Sequence, residues 1–308
     1  MVISPKSRRI RITDVGPRDG LQNEKQHVAT ADKIAFINTL SRSGVAEIEV
    51  SSFVSRKWVP QLGDAAEVFA GIDRHPEVVY SALVPNLKGL AGAIKCGVPK
   101  IAVFTAASET FALRNINSSI AESIERFKPV IEQARAESIA VRAYISCAIA
   151  CPYEGPIAPS GVASVARQLL DLGVDELDLG DTIGVAVPTD IDRLYDAIET
   201  ILPAAQTTLH LHDTRGAALA CLLHAIERGV TSFDASTGGL GGCPYAPGAA
   251  GNVATEDVVY CLDRMGFETG TDLNALLAAG TTIEQALGRR LPGRVFQAET
   301  SSRCNPPS

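Results

Sequence analysis

Short β-rich runs alternate along this chain with stretches whose apolar residues recur at helical spacing. The pattern predicts strands over about Arg9–Asp14, Glu47–Val50, Val78–Val84, Lys100–Thr105, Ala140–Ser146, Glu176–Gly180, Thr207–His212 and Ser232–Ser236. Helices are predicted over Ala31–Arg42, Gly63–Asp73, Leu87–Lys95, Ser118–Ala136, Gly161–Leu172, Asp190–Ile201, Ala217–Arg228 and Thr255–Met265. Four of the helices run into a Gly-Val pair, at Gly44, Gly97, Gly173 and Gly229. Glycine suits the left-handed residue that closes a helix, and valine then opens the next strand. That recurring element is the internal repeat. Eight such units predict an α/β fold, a closed (β/α)8 TIM barrel over about residues 9–265. An open doubly wound sheet is the alternative, but the turn Asp14-Val15-Gly16-Pro17-Arg18-Asp19-Gly20 is not a dinucleotide fingerprint. Additional C-terminal helices are expected over about 266–290, with a helix pair in Asp272–Leu287. A mobile polar tail is expected over about 300–308, and the whole chain reads as a single catalytic domain.

Composition narrows the class. The chain is 46% hydrophobic and 20% charged, with a formal charge of −7, which fits an ordinary globular protein. The acidic balance argues against nucleic acid as a partner. The one basic run, Lys6-Ser7-Arg8-Arg9, reads as a solvated end. No apolar stretch has the length of a membrane span, and no hydrophobic signal region opens the chain. Seven scattered cysteines, none spaced Cys-x-x-Cys, read as reduced thiols rather than a disulfide frame. The expectation is a cytoplasmic protein.

The candidate chemistry falls where strands end, which in a barrel is the catalytic rim. His210 and His212 sit one residue apart at the end of the seventh strand, so both imidazoles project to one face. Asp14 ends the first strand, with Arg18, Asp19 and Gln22 in the loop beyond it. Glu49 lies in the second strand, Asp181 follows the sixth, and Asp234 lies in the eighth. The glycine-rich segment Gly238–Gly242 then leads to Cys243, and Asn252 follows. Two neutral imidazoles with Asp19, and the Asn252 carbonyl as a fourth ligand, make a mixed N/O set suited to Mg2+ or Mn2+. Two histidines and a carboxylate also describe non-haem iron(II), and zinc is less favoured without a thiolate. Glu49 fits a structural ion pair with Arg18 as well as a catalytic role. Arg18 fits either stabilisation of a developing enolate or phosphate binding. Cys243 reads as a proton-handling thiol on a glycine-flanked flap, against the usual reading of cysteine as a small buried hydrophobe. Asp213 reads as a helix cap, and Asp181-Thr182 fits a plain loop turn as well as a site.

Several long strings carry a resemblance. Val15–Lys25, Ser52–Pro60, Pro85–Gly89, Cys151–Gly155, Gly180–Gly184 and Gly239–Tyr245 resemble the 3-hydroxy-3-methylglutaryl-CoA lyase family over nearly the whole chain, about Ile10 to Leu287. The resemblance implies a retro-Claisen cleavage of 3-hydroxy-3-methylglutaryl-CoA to acetyl-CoA and acetoacetate, with a divalent cation, Mg2+ or Mn2+. It implies Asp19, His210, His212 and Asn252 as metal ligands. Arg18, Asp19, Glu49, Asp181, His210 and Cys243 become the catalytic candidates, and Arg18, Gln22 and Arg215 the substrate-binding ones. The implied partner is an acyl-CoA substrate, and a homo-oligomer, a dimer foremost, is expected. The chain departs from the family pattern at Asp14, where Glu is common, at Arg215, where an aromatic is common, and at Ala150, where Gly is common. These changes touch the acyl group accepted rather than the reaction type. The rival readings are the same chemistry on a bulkier 3-hydroxyacyl-CoA, a Claisen-type acyl transferase, and a non-catalytic barrel.

Overall fold

The computed structural model describes residues 8–242 and 250–304. Eight strands close into one parallel barrel: β1 Arg11–Asp14, β2 Glu47–Ser52, β3 Val79–Leu83, β4 Lys100–Ala106, β5 Ala140–Ser146, β6 Glu176–Asp181, β7 Thr207–Leu211 and β8 Ser232–Ala235. Each strand pairs with its sequence neighbours, and β1 pairs with β8 to close the ring. Parallel neighbours require a crossover between them, and a helix supplies it each time. The predicted helix stops hold: Gly44, Gly97, Gly173 and Gly229 all have positive φ. Among the described residues, no helix is long and apolar enough to cross a membrane.

Alternation along the strands decides what faces where. Ile48, Val50, Val141, Ala143, Leu177, Leu179, Leu209 and Phe233 are buried in the main apolar cluster with helix residues such as Phe36, Ile37 and Leu40. Each large side chain so buried stabilises the fold by about 1.5–3 kcal/mol. The intervening positions turn inward, and many are charged. Arg142 on β5 reaches Asp234 (2.9 Å), Glu176 (2.8 Å), Asp178 (3.3 Å) and Glu47 (3.4 Å). Lys100 lies 2.8 Å from Glu47 and 2.6 Å from Glu176, and Arg11 lies 2.6 Å from Glu176. Burial opposes the charge on Glu176, but Arg142, Lys100 and Arg11 hold its carboxyl down at about 2. A smaller inward patch, Leu83, Ala102, Phe104 and Tyr144, is apolar.

Three elements differ from the sequence reading. A helix over Glu109–Ile116 precedes the one over Ile120–Ala136, started by Ser108, whose hydroxyl accepts from the Phe111 amide, and ended by left-handed Asn117. The helix pair expected in Asp272–Leu287 is one helix, Leu273–Leu287, started by Asp272 and stopped at Gly288. The tail expected from residue 300 begins inside a further helix, Arg294–Cys304, whose first amides donate to Asp257. Its start was obscured by Pro292-Gly293, which reads as a loop.

The loop after β8 is anchored from below by two acids. Asp14 accepts from the hydroxyls of Thr237 and Thr255, both at 2.7 Å, and from the Gly16 amide. This is the contact in which the departure from Glu falls. Glu256 accepts from the Gly238 amide at 2.7 Å through one oxygen, while the other has no hydrogen-bond partner among the described residues. Burial pushes the Glu256 carboxyl up to about 8 from its ordinary 4.5. Between those values the folded chain holds a proton that the unfolded chain has lost, so stability falls as pH rises through that window. Glu256→Gln keeps the acceptor for Gly238 and removes this loss. In thermal unfolding the variant therefore gains about 4 °C or more over the parent at pH 8.5 and little at pH 5. An equal gain at both pH values would contradict this assignment.

Candidate metal centre

After β1, residues Gly16–Gly20 form a single π-helical turn, a form that recurs at functional sites. The turn sets Arg18 and Asp19 on the C-terminal rim, beside Glu49 of β2 and the histidines that end β7. Ligand atoms of Asp19, His210 and His212 all lie within 4.8 Å of one another. The imidazole rings are 5.3 Å apart, centre to centre. Arg18 donates through Nε to Glu49 at 2.5 Å and through Nη1 to Asp19 at 2.6 Å, and it lies 5.4 Å over the Tyr144 ring. Burial opposes the guanidinium charge, but Glu49 and Asp19 more than offset it, so Arg18 stays protonated.

Asn252 joins the cluster through backbone and side chain. It forms a bridge with His212, and its amide donates to the Gly241 carbonyl. Its Nδ2 donates to Asp19 (2.8 Å) and to the Leu240 carbonyl (3.1 Å). Both amide hydrogens are thus committed, which fixes the orientation of the group and leaves Oδ1 buried without a partner among the described residues. A Cβ on the neighbouring Gly251 would lie 1.6 Å from the Gly241 carbonyl oxygen, so no other residue fits there.

The donor set fits a cation. Asn252 Oδ1 and His212 Nδ1 are buried with no hydrogen-bond partner among the described residues, and such atoms are costly unless something satisfies them. Asp19 is held ionised: burial would raise its carboxyl, but Arg18, His210, His212 and Asn252 bring it down to about 2. Burial, with His210 beside it, lowers His212 to about 4, so this ring is neutral at physiological pH and its lone pair is available. His210 is raised, because Asp234 outweighs burial. All the donors are N or O, as hard and borderline divalent ions prefer.

Other predicted residues fall elsewhere. Asp181 is buried at the end of β6, where its carboxylate accepts from the backbone amides of Val185 (3.2 Å) and Ala186 (2.9 Å) and shapes that loop. Arg215 is exposed and donates to the carbonyls of Ile183 and Gly184. Gln22 is half-buried in the loop that carries Arg18 and Asp19. Asp213 accepts from the Ala218 amide at the start of the following helix, at 3.0 Å, and pairs with Arg294 at 2.8 Å. Cys243 lies outside the described residues.

The sequence reading missed Tyr144, Arg142 and Asp178. Tyr144 stands edge-on to His210, 6.3 Å between centres, and its hydroxyl donates toward Glu49 and Asp234, both at 3.3 Å. Burial, with Asp234 and Glu49 nearby, pushes that phenol well up, so it remains a donor. The signal was present in the alternation Arg142-Ala143-Tyr144 and Glu176-Leu177-Asp178, polar at every second residue of strands that are otherwise apolar.

The HMGL-like family model matches residues 9–283. The chain is 51% identical over 291 residues to the 3-hydroxy-3-isohexenylglutaryl-CoA/hydroxy-methylglutaryl-CoA lyase of Pseudomonas aeruginosa, a match covering 94% of this chain and 97% of that protein. It is 49% identical to the mitochondrial hydroxymethylglutaryl-CoA lyase of Homo sapiens, covering 94% of this chain and 90% of the relative. The crystal structure of hydroxymethylglutaryl-CoA lyase from Pseudomonas aeruginosa superposes with a TM-score of 0.94 at 50% identity, covering 96% of this chain and 99% of that one. An Acinetobacter baumannii HMG-CoA lyase in complex with coenzyme A and 3-methylmalate superposes at 0.90 and 39% identity, covering 96% of each chain. With family model, relatives and solved structures all spanning nearly its full length, this chain belongs to the HMGL-like family.

Proposed function

We propose that this chain is a carbon–carbon lyase that cleaves 3-hydroxy-3-methylglutaryl-CoA to acetyl-CoA and acetoacetate, using Asp19, His210, His212 and Asn252 to hold a divalent cation, Mg2+ or Mn2+. The observation that carries the reading is the convergence of Asp19, His210 and His212 on one rim, with Asn252 and Arg18 both bonded to Asp19 and with Asn252 Oδ1 and His212 Nδ1 unpartnered among the described residues. A divalent cation bound there supplies Lewis acidity that lowers the pKa of the substrate's C3 hydroxyl. A base at the site, His210 or an oxygen of Asp19, takes that hydroxyl proton; the C3 oxygen then forms the ketone of acetoacetate as the C2–C3 bond breaks, and its electron pair passes to the enolate of acetyl-CoA. Arg18, held by Glu49 and Asp19, donates hydrogen bonds to the enolate oxygen as its charge develops. Cys243 returns a proton to the enolate carbon. Glu49 and Tyr144 fix the plane of the Arg18 guanidinium, and Asp181 holds the loop after β6.

The assay is acetoacetate release from 3-hydroxy-3-methylglutaryl-CoA before and after chelation. Stripping divalent ions is expected to abolish turnover, and added Mg2+ or Mn2+ to restore it. Full turnover in the chelated protein would defeat the metal reading. A second substrate is favoured by the Pseudomonas relative, whose name joins the isohexenyl and methyl substrates in one lyase. Comparing kcat/KM for the two thioesters ranks them. The same reading keeps the protein in the cytoplasm, supported by the free thiols of Cys96, Cys147, Cys151, Cys221 and Cys261. It also keeps the homodimer, which sedimentation analysis tests.

A further inference from the structure

His210 and His212 are not equivalent as donors. His210 Nδ1 lies 3.2 Å from Asp234 Oδ2, whereas His212 Nδ1 has no hydrogen-bond partner among the described residues. Asp234 is itself fixed: its Oδ1 accepts from Arg142 Nη1 at 2.9 Å, and the Tyr144 hydroxyl approaches its Oδ2 at 3.3 Å. Asp234 and Arg142 are 2% and 1% exposed, so water does not compete for these bonds. The Arg142 guanidinium cannot give up its proton in a protein, and facing it keeps Asp234 ionised. An ionised carboxylate only accepts hydrogen bonds. The hydrogen of a neutral His210 ring must therefore sit on Nδ1, which leaves the lone pair on Nε2. The backbone register supports the same alignment, since Thr13, Asp234, His210 and Gly180 are neighbours across four adjacent strands and Arg142 Nη2 reaches Thr13 Oγ1 at 3.0 Å.

We infer that Asp234, held by Arg142, is a positioning residue that sets the tautomer and ring plane of His210, so that Nε2 is presented to the cation before any cation arrives. A carboxylate behind a ligating histidine is a general way to orient the ring and raise its basicity. His212 has no such support among the described residues, so the preset ligand is His210. It rests on the metal reading given above.

The test is Asp234→Asn in the full-length protein, with Mn2+ affinity measured by titration calorimetry and histidine tautomers read from 15N spectra of the metal-free protein at a pH high enough that the His210 ring is neutral. The chain has five histidines, so selective labelling gives few signals. Arg142, which only donates, takes the amide oxygen of the new asparagine, and its NH2 then faces His210 Nδ1. The hydrogen of His210 is driven to Nε2, the wrong atom. The expected result is an Nδ1–H signal for His210 in the parent, an Nε2–H signal in the variant, and a loss of Mn2+ affinity of roughly 10–100-fold. An Nε2–H tautomer in the metal-free parent overturns the inference, and this measurement needs no variant to fold. Unchanged Mn2+ affinity in a folded variant overturns it as well. Failure of the parent to bind Mn2+ at all defeats the underlying metal reading, a separate outcome from either of these.

Discussion

Arg18→Met is expected to lower kcat for cleavage of 3-hydroxy-3-methylglutaryl-CoA by on the order of a hundredfold or more, about 3 kcal/mol of lost transition-state stabilisation. The geometry supplies the reason. Nε and Nη1 of Arg18 are committed to Glu49 and Asp19, so the guanidinium cannot rotate, and its Nη2 hydrogens have no partner among the described hydrogen bonds. A donor that is already fixed requires no reorganisation when the enolate forms. Methionine has similar length and no hydrogen to donate. Lysine carries the charge but not the planar fork, so Arg18→Lys also loses activity. Because Arg18 also neutralises Asp19, Mn2+ affinity must be measured alongside turnover. A fall in kcat at saturating Mn2+ assigns the loss to the enolate. Near-normal kcat in Arg18→Met would remove this residue from the reaction.

Arg142→Met should have the largest effect on stability, about 3–5 kcal/mol, as expected when one partner of a buried ion network is removed. Arg142 is 1% exposed and is shared among Glu47, Glu176, Asp178 and Asp234. Lys100 remains for Glu47 and Glu176, but Asp178 and Asp234 have no second Lys or Arg in ion-pair contact among the described residues. Burial and Asp234 already push the Asp178 carboxyl well up, so without Arg142 the Asp234 carboxyl has to take a proton as well for the variant to stay folded. Its deficit is expected to grow as pH rises, because the unfolded chain releases that proton more readily than the folded one. Denaturant unfolding at pH 5 and pH 8 measures both the size and the slope. A deficit below about 1 kcal/mol, against the usual cost of an orphaned buried charge, would show that the carboxylates do not need this cation.

Most of the barrel was legible in the chain because each β-α unit repeats the same signals. An apolar alternation is followed by a helical stripe, and glycines at 44, 97, 173 and 229 mark the stops. The candidate metal cluster was legible for a different reason. His210 and His212 share a face by strand geometry, and the rim rule brings Asp19 to the same end. Asn252 entered as a fourth ligand candidate from its place after the glycine-rich segment, and the family resemblance implied the same role. Its fixed amide depends on a bridge to His212 that no local pattern encodes. Asp181 carried two readings, a site carboxylate and a plain loop turn, and what the strand end alone could not encode is that its carboxylate accepts from the backbone amides of its own loop. The short helix Glu109–Ile116 was passed over because its exposed face carries Arg114 and Asn115 next to a serine-rich stop. The charges of the barrel interior were missed as a set. Each was visible in its strand, but their partners lie up to 129 residues away in sequence, as Arg142 does from Thr13.

That charged interior plugs one end of the barrel among the described residues. Arg11, Lys100, Glu47, Glu176 and Arg142 close the bore beneath the histidines, so no hydrocarbon can be threaded down the axis without displacing ions from their counter-ions. Any lengthening of the acyl group has to lie sideways across the mouth, along the loops between strands and helices. Variation in chain-length preference among such lyases should then be written in those loops and not in the strands, which leaves the bond-breaking apparatus untouched while the cargo changes.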